Sequence, residues 1–493
     1  MMNPRINSPR TCLRTGLRRG KPRKDGNRSL LSNPPLFLFI FVISGIFQYQ
    51  LSDPPGWASA LENPTADIPQ QASESTLNTW FDQIDMHWGG RLKAIGSATF
   101  ARNNTIFEPV GTGTYLNLDT DLRINNDTFF ADWGRFETQY EAIFVGGKAS
   151  EKTADLRKIF PNFKGSTLFV GAPLNDDRRL MDLTHAITEK DSYALVQRLD
   201  RLNLTLRRDR WMVRLGRQAI TWGNGLIFNP MDLFNPFPPA NIQRDYKVGD
   251  DMALAQVVLP ADLDLQLLYV VRRDSDTNNV EADRNSLAGL LHFAADTSEF
   301  DIMATRHYDD YVLGLGSSGI WGGAAWRADI TATFLEDGRG HNTQNYLSGV
   351  ANMDYSWSWW GKNCYGLLEY YYNGLGESDY PGALSNRDIT ERLARGELFV
   401  LAKHYLNAEI QVELHPLFKL YFTGINNLQD PSGILQPRAV WNVTQNLEMR
   451  VGANIFYGDN GSPGSEFGGF IIPGTDIRSR SPNGAYLWFN YYF

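Results

Sequence analysis

The sequence predicts an all-β protein, a closed antiparallel transmembrane β-barrel of about 18 strands, with 16 as the alternative count. Three observations carry this. From about Gly90 onward, segments of 8 to 13 residues alternate apolar and polar side chains between clusters of Asn, Asp, Gly and Pro, the period-two signature of strands. Short and long connections alternate along the chain, as in barrels with short turns at one end and long loops at the other. Aromatic residues crowd the strand ends, where rings with one polar edge settle at the headgroup level.

The alternation is plainest in Trp326 to Phe334. Trp326, Ala328, Ile330, Ala332 and Phe334 fall on one face; Arg327, Asp329, Thr331 and Thr333 fall on the other. Leu406 to Leu414 repeats the pattern with Asn407, Glu409, Gln411 and Glu413 between apolar residues, as does Phe136 to Phe144 with Arg135, Glu137, Gln139 and Glu141. One face suits lipid and the other water. A soluble sandwich also alternates, but its strands average about five or six residues, whereas tilted strands of about ten fit a bilayer crossing.

Candidate short turns lie near Asn126, Arg208, Pro260, Thr297, Ser318, Gly361, Pro416 and Gln445. Longer polar stretches lie at roughly 101–113, 146–192, 219–249, 274–284, 336–344, 374–397 and 459–483, with one tight exception from His307 to Asp310. Both ends then fall on the short-turn side, as an even-stranded closed sheet requires. Candidate aromatic girdles are Tyr355, Trp357, Trp359 and Trp360, then Tyr370, Tyr371 and Tyr372, and finally Trp488, Tyr491, Tyr492 and Phe493.

Composition narrows the function. Mean hydropathy is −0.34, and no stretch of the mature chain offers the roughly 20 apolar residues of a spanning helix. Residues 1–60 read as a secretory signal: Arg5, Arg10, Arg14, Arg18, Arg19, Lys21, Arg23, Lys24 and Arg28 precede the apolar run Leu36 to Phe47 and the small-x-small site Ala58-Ser59-Ala60. The run ends about a dozen residues before that site, farther than usual, so export is better marked than the cleavage point. Residues 61–87 read as a polar leader and 88–493 as the barrel. The net charge of −8 becomes more acidic once the basic leader is removed, which argues against a nucleic-acid partner, because phosphates need a basic face. Cys12 lies in the leader and Cys364 stands alone, so no internal disulfide and no cysteine-based metal or haem motif is expected.

The chain ends with Ala485, Leu487, Phe489, Tyr491 and Phe493 on one face. With the signal and the alternating strands, this resembles Gram-negative outer-membrane β-barrels, in which such an ending is read by the barrel-assembly machinery; Phe489, Tyr491 and Phe493 are the implied assembly signal. A narrower segment, Arg214-Leu215-Gly216-Arg217-Gln218-Ala219-Ile220-Thr221-Trp222-Gly223-Asn224-Gly225, resembles the Gly-Arg-Gln then Gly-x-Gly stretch of alginate-export-type barrels. That resemblance implies 18 strands and a charged conduit. From the residues themselves, Arg214 and Gln218 share the polar parity of a strand whose Trp211, Val213 and Leu215 face lipid, and Gly216 permits a bulge or close approach.

Inward charges are the nearest thing to a mechanism. Arg201, Arg207, Arg214 and Arg272 form a candidate basic pore wall, and Glu369, Glu409 and Glu413 a candidate acidic one. Facing each other, they would set a transverse field; paired within the wall, they would only keep it wet. The proline-rich stretch Phe228 to Pro239 either folds inward as a constriction or packs on the rim. His87, His185, His292, His307, His341, His404 and His415 are scattered, without a metal spacing or a G-x-S-x-G elbow. The expected function is a porin-like channel for small polar or anionic solutes, with no cofactor, no metal and no catalytic group. Outer-membrane lipid, the assembly machinery, small solutes and a periplasmic protein are the expected partners. The alternatives are polysaccharide export, a scaffold around a partner such as a cytochrome, and an outer-membrane hydrolase.

Overall fold

The computed structural model describes residues 84–159, 175–240, 246–336, 345–459, 461 and 464–493; the expected signal, its cleavage site and most of the leader lie outside them. Eighteen long strands follow one another antiparallel. They are β1 (Ile84–Ala101), β2 (Gly113–Phe130), β3 (Gly134–Gly147), β4 (Tyr193–Arg208), β5 (Trp211–Gln218), β6 (Asp250–Leu259), β7 (Leu263–Val270), β8 (Ser286–Ala295), β9 (Ser298–His307), β10 (Asp310–Trp321), β11 (Ala324–Phe334), β12 (Tyr346–Trp359), β13 (Lys362–Asn373), β14 (His404–His415), β15 (Phe418–Asn427), β16 (Ser432–Asn442), β17 (Leu447–Tyr457) and β18 (Asn483–Tyr492). Strand β1 pairs with β2 on one side and with β18 on the other, from Arg91 opposite Tyr492 to Phe100 opposite Asn483. The sheet therefore closes. A shorter strand, Thr184–Lys190, extends the sheet beside the outer half of β4.

The expected alternation is present residue by residue. In β11, Ile330 and Phe334 are exposed on the lipid side, while Asp329, Thr331 and Thr333 are buried toward the lumen. At the short-turn end, Gly322 and Gly323 (φ 56° and 86°) and Trp360 and Gly361 (49° and 68°) make two-residue turns, whose paired positive φ values match the twist of the flanking strands. Two turns are displaced from expectation. Asn125, Asn126 and Asp127 read as turn formers but stay paired with Gly89, Trp88 and His87, so that hairpin turns at 131–133. The hairpin expected near Ser318 turns at Gly322. A second tight outer connection, 428–431, joins β15 to β16, where only His307 to Asp310 was expected.

Not every lumen face is polar. Met212, Met252, Leu254, Leu268, Leu290, Met303 and Val312, from β5 to β10, are buried apolar residues on the inward parity. These strands are apolar on both faces because something other than water fills that half of the barrel. Two candidate girdle residues also point inward: Tyr371 packs under a loop, and Trp488 lies between Lys93 and Arg450, 4.4 and 4.5 Å from its ring.

Candidate functional site

The filling comes from the connection between β5 and β6, whose residues 219–240 fold into the lumen. Its Trp222, Met231 and Phe234 pack on the apolar inner faces of β5 to β10. The turn into the lumen uses Gly223 (φ 86°) and Gly225, where an added Cβ would lie 1.9 Å from the Phe228 carbonyl oxygen. Across the barrel, two wall carboxylates hold the backbone. Asp329 accepts from Asn224 N (2.6 Å), Gly225 N (3.1 Å) and Asn224 Nδ2 (2.9 Å). Glu369 accepts from the N–H groups of Leu226, Ile227 and Phe228 at 2.9, 3.0 and 2.8 Å. The Phe228 ring stacks on Tyr371 with centroids 4.5 Å apart. Further along, Gln436 Nε2 donates to Ala240 O (2.9 Å), and Arg201 donates to Lys247 O (2.8 Å).

The sequence-derived charges are placed separately, each beside a partner. At β4 the register slips by one residue, so that Asp200 and Arg201 both face inward, and Arg201 pairs with Asp200 at 2.6 Å. Arg207 is half-buried toward the short turns. Arg214 donates to Thr205 Oγ1 (3.0 Å). Arg272 is buried, bonded to Asp250 (3.2 Å) and Ser286 Oγ (2.7 Å). Among the acidic residues, Glu369 is 0% exposed beneath the loop, Glu409 pairs with Arg438 at 3.0 Å, and Glu413 lies 3.8 Å from Lys419 near the short turns. In the motif, Gly216 takes φ 117°, and an added Cβ would meet Leu202 O at 2.2 Å. Strict alternation lapses there, so Arg217 and Gln218 are both 1% exposed. Arg217 pairs with Asp251 and Asp176, each at 2.9 Å; Trp222 Nε1 donates to Gln266 (3.0 Å).

Arg123, Glu141, Arg198 and Asp200, of which the alternation placed only Glu141 on a polar face, form a buried lattice: Arg123 pairs with Glu141 (2.5 Å) and Asp200 (2.8 Å), and Arg198 with Glu141 (2.5 Å). Sequence reasoning did not single out Arg438, Glu448 and Arg450. These border a cavity of about 520 Å³ between the inward loop and the β14 to β17 wall. Their inward parity was countable from the alternation; the loop that makes them matter was not.

The nearest approach to a catalytic constellation is Ser286 Oγ 2.9 Å from His307 Nδ1, with His307 Nε2 3.0 Å from Glu397. Ser286 is 1% exposed and its Oγ also accepts from Arg272. The array ties β8 and β9 to the 374–403 connection and presents no accessible nucleophile. His292 bonds Asp301 at 2.9 Å. No group of three or more His, Cys, Asp or Glu with metal-holding geometry is found among the described residues.

No protein-family model and no curated protein matches the chain. Among solved structures it is similar to OccAB3 of Acinetobacter baumannii (TM-score 0.48, 11% identity, 83% of this chain and 99% of that one) and OccAB2 of the same organism (0.48, 9%, 85% and 99%). It is also similar to OccK7 (OpdD) of Pseudomonas aeruginosa (0.44, 9%, 83% and 99%).

Hydrogen bonds to a charged group contribute about 1.5–3 kcal/mol each, and Glu369→Ala removes the acceptor of three. In a Cys364→Ser background, thiol labelling of Phe228→Cys should rise about tenfold on adding Glu369→Ala; unchanged labelling would mean the carboxylate does not hold the loop. In the last outer loop, Glu466 accepts from Leu401 N (2.6 Å), Tyr405 OH (2.6 Å) and Asn427 Nδ2 (2.9 Å), and burial pushes its carboxyl from 4.5 up to about 7. A raised carboxyl stabilises most when protonated, so its contribution is complete below pH 4.5 and disappears as pH rises through about 7. Protease nicking within 458–482 should therefore be faster at alkaline than at mildly acid pH, and Glu466→Gln should flatten the difference.

Proposed function

We propose that this chain is a porin-like channel through which small polar or anionic solutes diffuse across the outer membrane of a Gram-negative bacterium. In this reading residues 1–60 direct export, and Phe489, Tyr491 and Phe493 present the strand that the assembly machinery reads. The observation that carries the proposal is the space left after the loop has folded in: a cavity of about 520 Å³ bordered by Glu409, Arg438, Glu448 and Arg450 on one side and the 225–239 backbone on the other. Barrels of 16 to 18 strands are wide enough for an aqueous lumen; an inward loop narrows that lumen to the scale of single small solutes. A scaffold around a partner protein needs an empty lumen, and the loop occupies it. A polysaccharide conduit lacks support on similar grounds, since Glu369 and Asp329 fasten the loop across the path.

Passive passage needs no catalytic residue, only a wet, charged, narrowed route. Osmotic swelling of liposomes holding the refolded 61–493 chain tests the proposal. A pentose should enter measurably faster than a tetrasaccharide; swelling no faster than in protein-free liposomes for every solute would contradict it.

A further inference from the structure

The cavity has two unlike sides. The loop side offers hydrocarbon from Ile227, Phe237 and Pro239 together with one ion pair, Asp232 with Lys247, and the wall side offers two ion pairs next to each other. The wall pairs differ from those sealed elsewhere in the lumen. The side chains of Arg123 and Glu141 are 2% and 3% exposed, whereas Glu409 and Arg438 keep 18% and 16%, and Glu448 and Arg450 keep 12% and 22%. Separations are 3.0 Å for Glu409 to Arg438 and 2.5 Å for Glu448 to Arg450. The Arg438 guanidinium lies 4.3 Å from the Tyr421 ring centroid, a cation–π contact that restrains it.

A solute with one charge is poorly matched to such a surface. An anion that reaches Arg438 or Arg450 meets the carboxylate already beside it, and a cation at Glu409 or Glu448 meets the guanidinium. At the reduced dielectric of a narrow lumen these like-charge contacts offset much of the attraction. A zwitterion replaces one wall pair in kind, its carboxylate going to the arginine and its ammonium to the glutamate, with no charge left uncompensated. Its side group then faces Ile227, Phe237 and Pro239 of the loop. The cavity volume falls within the range of small-ligand sites.

Resting on the channel reading above, we propose that the passage prefers zwitterionic solutes bearing an apolar side group, the class of neutral α-amino acids, over singly charged solutes of the same body. The test uses proteoliposomes of the refolded chain and four labelled probes near neutral pH: L-phenylalanine, 3-phenylpropionate, 2-phenylethylamine and arabinose, each corrected for protein-free liposomes. Phenylalanine flux should exceed that of each singly charged analogue about threefold or more. Equal or faster flux of either analogue overturns the preference while arabinose entry leaves the channel intact; no flux of any probe, arabinose included, overturns the channel reading and the preference with it. In Glu409→Gln/Glu448→Gln, shown to be folded by heat-modifiable gel mobility, phenylpropionate should gain on phenylalanine, because the arginines then stand without acidic neighbours. An unchanged ratio removes these carboxylates from the selective step.

Discussion

At the depth of hydrocarbon, a backbone N–H or C=O has only another backbone group to bond. The structure answers that constraint by closing its sheet between β1 and β18. The terminal residue takes part: Phe493 and Gly90 exchange hydrogen bonds at 2.8 and 3.0 Å, so the seam is paired to the end of the chain. Closure with 18 strands fixes a lumen too wide for wall side chains to fill, and everything functional in the molecule follows from how that space is occupied.

Apolar side chains fill one part of the space, and charged side chains line another. The 219–240 stretch brings Trp222, Met231 and Phe234 to the inner faces of β5 to β10, burial that stabilises by the removal of apolar area from water. The same segment brings backbone N–H groups that must be satisfied away from solvent, and Asp329 and Glu369 supply the acceptors. A carboxylate at 0% exposure is costly unless hydrogen bonds replace its hydration. Three N–H donors and Asn352 Nδ2 at 3.3 Å surround Glu369, so loop and wall compensate each other. Glu409, Arg438, Glu448 and Arg450, on β14 to β17, face the cavity.

The sequence was legible where one constraint acted at a time. In Trp326 to Phe334 and Leu406 to Leu414 only lipid and water compete, and parity alone assigns each face. Gly216 was legible as a bulge or close approach because a strand glycine has few other uses. Legibility failed where a second partner entered. Strands β5 to β10 read as wall, yet their inner faces are apolar because the connection between β5 and β6 folds back over them. Glu369 read as a pore charge because nothing local reveals that three N–H groups from 226–228 reach it. Asp200 and Arg201 defeated parity through a one-residue slip, and Tyr371 and Trp488 looked like girdle residues until their inward parity was applied.

A closed barrel narrowed by a loop fastened to Glu369 and Asp329 should still conduct. Single-channel recording in a planar bilayer tests it most directly, comparing the refolded chain with a variant lacking 226–240. The intact chain should give small, steady openings and the deletion distinctly larger ones. Equal conductance would contradict the loop's role, and silence from both, in protein shown to be folded, would contradict the channel.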